Sequence, residues 1–471
     1  LSLDIEPLQA LLGDKGLLNT PAEMAAHVTD LLGAEAVNVL AVARPDTVAQ
    51  VSETVRWCHE NGAGLVMQGG LTGLVNGAIP GGGAPVLIVS LGRLNTIGQV
   101  DSDDNTVVVE AGAILAHVKQ AAEAAGRYLP LSHGGEGSSQ IGGNLSTDAG
   151  GNNALRYGTV RDQVLGLEVV LPDGTVWNGL RSLRKDTAGF DLKHLFLGAE
   201  GTLGIITRAC LMLRPLPRAR ETALLALPSP AAALTFLRTL EREAGETLAA
   251  FELMSAAAIA RALTMEGTRP PFNDAHDWLA LIELETPALR FDLQGALEDA
   301  IGQGLEDGLI ADAVIAQASQ HRADFWRLRE AIADALIEET DSLKADTAVP
   351  VGKVPEFIAA AHLAVEAVVP GARCVPFGHL GDGNIHFNVR RPEAMSPTEF
   401  RANWETVTAA LDGVALGLGG TISAEHGIGR LKRASFQAVA SAEEWRLLDQ
   451  LKRALDPARI MNPGVIFDET P

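Results

Sequence analysis

Apolar positions recur along this chain in two alternating rhythms. The short runs Gly64–Met67, Pro85–Ser90 and Thr106–Glu110 have the length and β-branched content of buried strands. Between such runs lie stretches with the helical period, Ala113–Ala125 among them. Leu167–Leu171 and Thr175–Trp177 flank Pro172-Asp-Gly174, which predicts a hairpin. Gly204–Leu213 predicts another strand, and the first forty residues read as polar helix.

The rhythm breaks at Arg214-Pro-Leu-Pro217. Beyond it, strands are predicted at Ala223–Leu227, Trp278–Glu283 and Leu309–Ala316, with helices over Ala231–Glu243 and Asp292–Gly302. This recurrence predicts a second α+β layer, a sheet covered on one face. Asp456–Gly464 ends a long helix and enters a tight turn, and the chain has no internal repeat.

Composition narrows the class. At 471 residues and 47% apolar content the chain exceeds one domain and fills two cores. Sparse aromatics (4%) and 49 glycines suit an enzyme with many tight turns. A net charge of −22 repels phosphate backbones, which argues against nucleic-acid binding. Cys58, Cys210 and Cys374 are widely separated, which excludes a disulfide framework or zinc knuckle and reads as inert thiols. No apolar run nears the roughly 20 residues of a membrane span, and no secretory signal is visible. A cytoplasmic location, free or peripheral to a membrane, is expected. The chain begins at Leu1, which leaves a presequence open.

Candidate chemistry concentrates in Gly378-His-Leu-Gly-Asp-Gly-Asn-Ile-His386 and Ser423-Ala-Glu-His-Gly-Ile-Gly429. The Gly-Asp-Gly-Asn turn allows His379 and His386 to fold towards each other. With Glu425 they make a two-nitrogen, one-oxygen set with open metal positions, and His426 is left free as a base. Two glycine-rich turns with structurally bonded histidines are the plain alternative.

Three glycine clusters mark the first half: Gln68-Gly-Gly-Leu-Thr-Gly73 continuing to Pro80, Gly134–Asn144 continuing to Asn152, and Gly198–Ile206. The first exposes successive N–H groups that suit a diphosphate, yet it matches neither a P-loop nor GxGxxG. Together the clusters favour a large phosphate-bearing cofactor.

These residues resemble the FAD-linked 2-hydroxyacid dehydrogenases of the vanillyl-alcohol-oxidase (PCMH-type) flavoprotein superfamily. The D-2-hydroxyglutarate branch is the nearest, and D-lactate dehydrogenases and the glycolate oxidase flavin subunit are relatives. The resemblance spans nearly the whole chain. It rests on Ile141-Gly-Gly-Asn144, Arg156-Tyr-Gly158, Arg184-Lys-Asp186, Phe377–Asn384, Glu425–Gly429 and Asn462-Pro-Gly464.

It implies an α+β fold: a two-part FAD domain over 1–217, an inserted cap with the metal site over 218–430, and a returning segment over 431–471. It places Gln68, Gly69, Gly70, Leu71, Thr72, Gly73 and Asn76 at the FAD diphosphate. Gly137, Ser138, Ile141, Gly142, Gly143, Asn144, Thr147, Gly150, Glu200, Gly201, Gly204 and Ile206 would line the rest of FAD, and Asn462 would close over it. Met67-Gln-Gly-Gly70 holds no histidine, so FAD is expected to be non-covalent. His379, His386 and Glu425 match the metal ligands, with zinc expected and manganese or iron acceptable. His426 matches the base, Asn388 a substrate contact, and Arg329 and Lys344 the grip on a distal carboxylate.

The implied reaction oxidises a D-2-hydroxy acid to the 2-oxo acid by hydride transfer to the flavin. Electrons then leave to an electron-transfer flavoprotein, a quinone or a cytochrome, and a homodimer is the assembly considered. D-lactate, D-malate or glycolate oxidation is the near alternative; a zinc hydrolase and a subunit serving mainly as a partner are the remote ones. Three departures from the family pattern stand out. Ala333 replaces a threonine, and Leu71 and Asn76 replace an asparagine and a glycine in the first loop.

Overall fold

Residues 3–339 and 341–468 are described in this computed structural model, and they divide into two bodies. The first takes the chain up to Gly150, then Thr159–Leu216, then Glu425 onward; the second takes Gly151–Gly158 and Pro217–Ala424. Residues 1–2, 340 and 469–471 of the expected domain ranges lie outside the described residues.

The division at Leu216–Pro217 falls one residue from the expected one, and two further segments change body for local reasons. Gly151–Gly158 joins the second body because Arg156 donates to the Glu285 carbonyl at 2.5 Å and the Tyr157 hydroxyl to the Glu285 carboxylate at 2.7 Å. Residues 425–430 join the first because the Glu200 carboxylate accepts the N–H groups of Ile428 (2.7 Å) and Gly429 (2.8 Å). Arg430 adds hydrogen bonds to the carbonyls of Ile79 and Pro463.

In the first body, β1 (Leu17–Leu18), β2 (Val37–Ala43), β3 (Gly64–Gln68) and β4 (Gly81–Ser90) form a sheet in the order β1-β2-β4-β3. The pairs β2–β4 and β4–β3 are parallel. β2 replaces the helix expected near residue 40. Its Val-Asn-Val-Leu-Ala-Val-Ala run favours a pleated strand, and parallel pairing buries Ala41, Val42 and Ala43 completely. Among the described residues of the first forty, helix is limited to Glu6–Leu12, Pro21–Met24 and a short 3₁₀ turn.

Strands β5 (Thr106–Glu110), β6 (Arg127–Tyr128), β7 (Val164–Val170), β8 (Val176–Gly179), β9 (Ile205–Met212) and β10 (Arg214–Pro215) follow. They make an antiparallel sheet β5-β9-β7-β8 and a short β6–β10 pair. The predicted hairpin is β7–β8, turning at Pro172-Asp-Gly174.

The second body is one eight-stranded antiparallel sheet. Its strands are β11 (Ala219–Leu227), β12 (Leu248–Ser255), β13 (Trp278–Thr286), β14 (Asp312–Ile315), β15 (Ser342–Leu343), β16 (Asp346–Ala348), β17 (Arg373–His379) and β18 (Asn384–Arg390). The order is β14-β11-β13-β12-β17-β18-β15, and β16 also pairs with β18.

Side chains alternate between faces along each strand. Leu225, Leu253, Ile282 and Phe387 pack beneath the helices Pro230–Ala244, Leu293–Glu306, Val354–Val368 and Trp404–Gly417. Leu224, Met254, Leu281 and Phe377 face the helices Ala256–Ala262 and Ser319–Glu338. Helices therefore cover both faces rather than the single one expected. The strands are buried on both sides, as β12 shows with all eight residues buried.

One buried cation fixes the C-terminal return. The Lys452 ammonium, at the end of the helix Ala442–Leu455, donates to Asp456 (2.6 Å) and to the carbonyls of Thr202 (2.8 Å) and Met461 (2.9 Å). Burial pushes its pKa down, and Asp456 opposes that shift. From there the chain pairs beside β3, with Leu65 N–H donating to Ile460 and Asn462 N–H to Leu65. Lys452→Met leaves the buried Asp456 carboxylate with the N–H groups of Ile460 and Met461 but no counter-charge, and is expected to cost about 3–5 kcal/mol. Thermal unfolding checks this, and a variant within about 1 kcal/mol of the parent contradicts the pin.

Candidate active site

The second face of the eight-stranded sheet changes character along its length. Across β12, β17 and β18 the register pairs Met254 with Phe377 and Phe377 with His386, then Glu252 with His379 and His379 with Asn384. One step along β18, Asn388 shares the His386 face. Apolar side chains thus give way to a patch of Glu252, His379, Asn384, His386 and Asn388.

The hairpin turn at Leu380–Gly383 returns one imidazole onto the other, with ring centroids 5.6 Å apart. Gly378 (φ 144°) and Gly383 (φ 87°) take backbone conformations that side chains resist, and a Cβ at Gly383 would lie 2.1 Å from the Val349 carbonyl oxygen. Glu252 Oε1 lies 2.7 Å from His379 Nδ1, which assigns a proton to Nδ1 and makes Nε2 the nitrogen a metal would take. Asp346, across from His386 in β16, brings Oδ1 within 3.7 Å of His386 Nδ1.

Arg329, on the helix Ser319–Glu338, donates Nε–H to Glu252 Oε2 at 2.7 Å and stacks over Phe377 at 4.9 Å. Burial alone would raise the Glu252 carboxyl, but His379 and Arg329 outweigh it and hold it at about 2. Lys344, between β15 and β16, is half-buried, and burial pushes its ammonium pKa down against the pull of Glu339. Ala333 sits one turn after Arg329 on the same helix. The ligating atoms of His379 and His386 lie within 4.8 Å of each other, and a buried carboxylate stands behind one of them. That donor set fits a divalent cation.

The first body contains a cleft of its own. Its walls are Gln68–Gly73, Gly142–Asn144, Thr147, Glu200, Gly201, Gly204, Ile206 and Asn462, and His426 stands at its rim. Gly70 allows close approach there: a Cβ would lie 2.0 Å from the Ser138 carbonyl oxygen. Gln68 is a pin, donating to the His27 and Ala78 carbonyls. Asn462 donates to Gly77 and Glu200 carbonyls, while its Oδ1 is buried without a partner. Gln140 Oε1 is also orphaned in this wall. Buried polar atoms without partners are rare, so the cleft fits a large polar cofactor.

Glu200 holds the His426 loop. Its carboxylate fills a small nest of Ile428 and Gly429 N–H groups, and a Cβ at Gly427 would come within 2.9 Å of it. Burial raises its pKa, opposed by those same two N–H groups.

Two family models match the chain: an FAD binding domain over residues 39–179, and the C-terminal domain of FAD linked oxidases over 216–466. The chain belongs to the FAD-linked oxidase family. As an FAD-linked dehydrogenase it is 36% identical to D-2-hydroxyglutarate dehydrogenase of Xanthomonas citri pv. viticola, covering 96% of this chain and 94% of that one. It is 34% identical to the enzyme of the same name from Stutzerimonas stutzeri (98% of each chain). The mitochondrial enzyme of Bos taurus is 35% identical over 95% of this chain and 80% of its own. The fold is that of substrate-bound p-cresol methylhydroxylase (TM-score 0.77, 17% identity, 98% and 96% covered). It is equally that of 4-ethylphenol oxidase from Gulosibacter chungangensis (TM-score 0.75, 17% identity, 99% and 97% covered).

The flavin cofactor and PCMH-type fold expected from the sequence are therefore those of the protein, and the hydrolase alternative falls. Among the described residues no helix is long and apolar enough to cross a membrane. Fifteen of the residues expected at FAD line the cleft. Asn76, Gly137, Ser138, Ile141 and Gly150 do not: Ile141 is wholly buried in the core beneath β5 and β9, and Gly150 lies against the Glu425 side chain. Sequence reasoning missed Gln140, whose place beside the Ile-Gly-Gly-Asn motif was its only signal. It also missed Glu252, a lone carboxylate in a strand otherwise free of charge.

The two departures in the first loop now have a physical meaning. Leu71 (φ 54°) and Asn76 (φ 56°) are both left-handed, the conformation that asparagine and glycine tolerate. Asparagine suits position 76; leucine at 71 carries strain of ~1–2 kcal/mol. Leu71→Asn is expected to raise stability by about 1 kcal/mol with flavin retained. An unchanged or lower melting temperature contradicts this account of the strain.

Proposed function

We propose that the protein oxidises a D-2-hydroxy acid with a second carboxylate, D-2-hydroxyglutarate being the best fit, to the 2-oxo acid. The observation that carries this is the polar patch of the second body: two neighbouring imidazoles, of which His379 shares the buried Glu252 with Arg329. Such a patch suits a ligand bearing a chelating end and an anionic end. The names of the relatives point the same way.

FAD supplies a two-electron sink when bound, and a divalent cation, zinc first with manganese or iron acceptable, supplies Lewis acidity. His379 and His386 would hold the cation, and Glu425 is the proposed third ligand. Ala424, the residue before it, donates its N–H to Asp346 Oδ2 at 3.2 Å. His426 is the base for the 2-hydroxyl proton, presented at the flavin cleft by the loop that Glu200 holds. Asn388 is buried and makes no side-chain hydrogen bond within the protein among the described residues, which suits a substrate contact. Arg329 and Lys344 take the distal carboxylate. The electron acceptor is external, an electron-transfer flavoprotein, quinone or cytochrome.

Two variants test the reading with an artificial dye acceptor. Lys344→Met is expected to raise KM for D-2-hydroxyglutarate about tenfold or more while changing that for D-lactate by less than about threefold. His426→Ala is expected to keep its flavin and lose ~10²–10⁴-fold in kcat. Equal KM effects on both acids favour the D-lactate alternative, and near-parental kcat in the second variant removes His426 as base.

A further inference from the structure

Glu252 has no role in the reaction as described so far, yet it touches both ends of the proposed substrate site. It reaches His379, 127 residues away on β17, with Oε1 at 2.7 Å. With Oε2 it reaches Arg329, 77 residues away on a helix, also at 2.7 Å. Its side chain is 1% exposed, so water does not substitute for either partner. Arg329 is 7% exposed, and its Nη groups have no protein acceptor among the described residues.

Both carboxylate oxygens are therefore committed. One fixes the tautomer of His379, with a proton on Nδ1 and Nε2 as the ligating nitrogen. The other anchors the guanidinium by Nε and leaves its Nη groups for an incoming carboxylate. An isolated buried ion pair is weak evidence for stability, because desolvation offsets the attraction. Its placement suggests a different reason for its presence.

We propose that Glu252 is a positioning residue that couples the two halves of the site, setting the ligating face of His379 and the aim of Arg329 through one carboxylate. The inference rests on the metal and dicarboxylate reading given above. It requires that cation affinity and dicarboxylate preference fall together when Glu252 changes. Glutamine has one acceptor oxygen, so its amide N–H₂ must face either the Arg329 Nε–H, donor against donor, or His379 Nδ1, which then moves the ring proton to Nε2 and blocks ligation there.

The experiment uses the FAD-loaded protein, stripped of metal by chelation and titrated with zinc chloride against a competing chelating dye. Kinetics on D-2-hydroxyglutarate and D-lactate are then read at saturating zinc. Glu252→Gln is expected to bind zinc ~10–100-fold more weakly. At saturating zinc its KM for D-2-hydroxyglutarate stays raised about tenfold or more, with D-lactate changed less than about threefold. Glu252→Asp keeps the charge but shortens the reach, and is expected to show both effects at smaller size. It carries the test if the glutamine variant does not fold.

Parental zinc affinity with parental KM values in a folded variant overturns the proposal. A change in only one of the two overturns the coupling. His386→Ala separates this from the underlying reading. Zinc binding that survives in that variant refutes the metal site itself, whereas zinc lost there but unchanged in Glu252→Gln refutes only the role of Glu252.

Discussion

The period of two along β17 and β18 is the constraint on which the second body depends. In this hairpin Val375, Phe377, His379, Asn384, His386 and Asn388 share one face, while Ile385, Phe387 and Val389 sink into the opposite core. A slip of one residue would bury the imidazoles under the four-helix layer and expose Phe387 on the polar patch. Register is therefore protected by the core itself, and the glycines at 378 and 383 let the turn close without strain. Fold and site are specified by the same alternation.

The first body solves a different problem, holding a backbone-lined cleft open. Two buried charged groups, Glu200 and Lys452, do this by satisfying backbone rather than by packing. Glu200 collects N–H groups of the Gly427–Gly429 loop, and Lys452 collects carbonyls from the Thr202 and Met461 segments. The two meet at Asn462, whose amide binds the Glu200 carbonyl and whose own segment Lys452 anchors. Loops without regular structure thereby gain fixed positions. The cost is a pair of desolvated ions and left-handed residues at Leu71, Glu200 and Asn462.

Much of this was legible in the sequence, for identifiable reasons. Strands such as Thr106–Glu110 carried their own period, and the His379–His386 loop advertised its fold through glycine, aspartate and asparagine at the turn. The strand Val37–Ala43 was passed over although its run favours a strand, because the parallel pairing that buries it comes from Gly81–Ser90, forty residues on. Cover on both faces of the large sheet was hidden likewise, since β12 and β17 acquire their neighbours from distant segments. Glu252 was missed because its partners are His379 and Arg329. A carboxylate in an otherwise uncharged strand was the available signal, since charge is rarely buried without a partner.

In the function proposed above, metal-assisted oxidation of a D-2-hydroxy dicarboxylate reduces the flavin of this protein. Anaerobic bleaching of the visible flavin band by D-2-hydroxyglutarate, D-malate and D-lactate, with and without a chelator, tests it most directly. The account predicts rapid bleaching by the dicarboxylates, little by D-lactate, and loss of bleaching after chelation with recovery on adding zinc. Equal bleaching by all three acids, or bleaching indifferent to chelation, would contradict it.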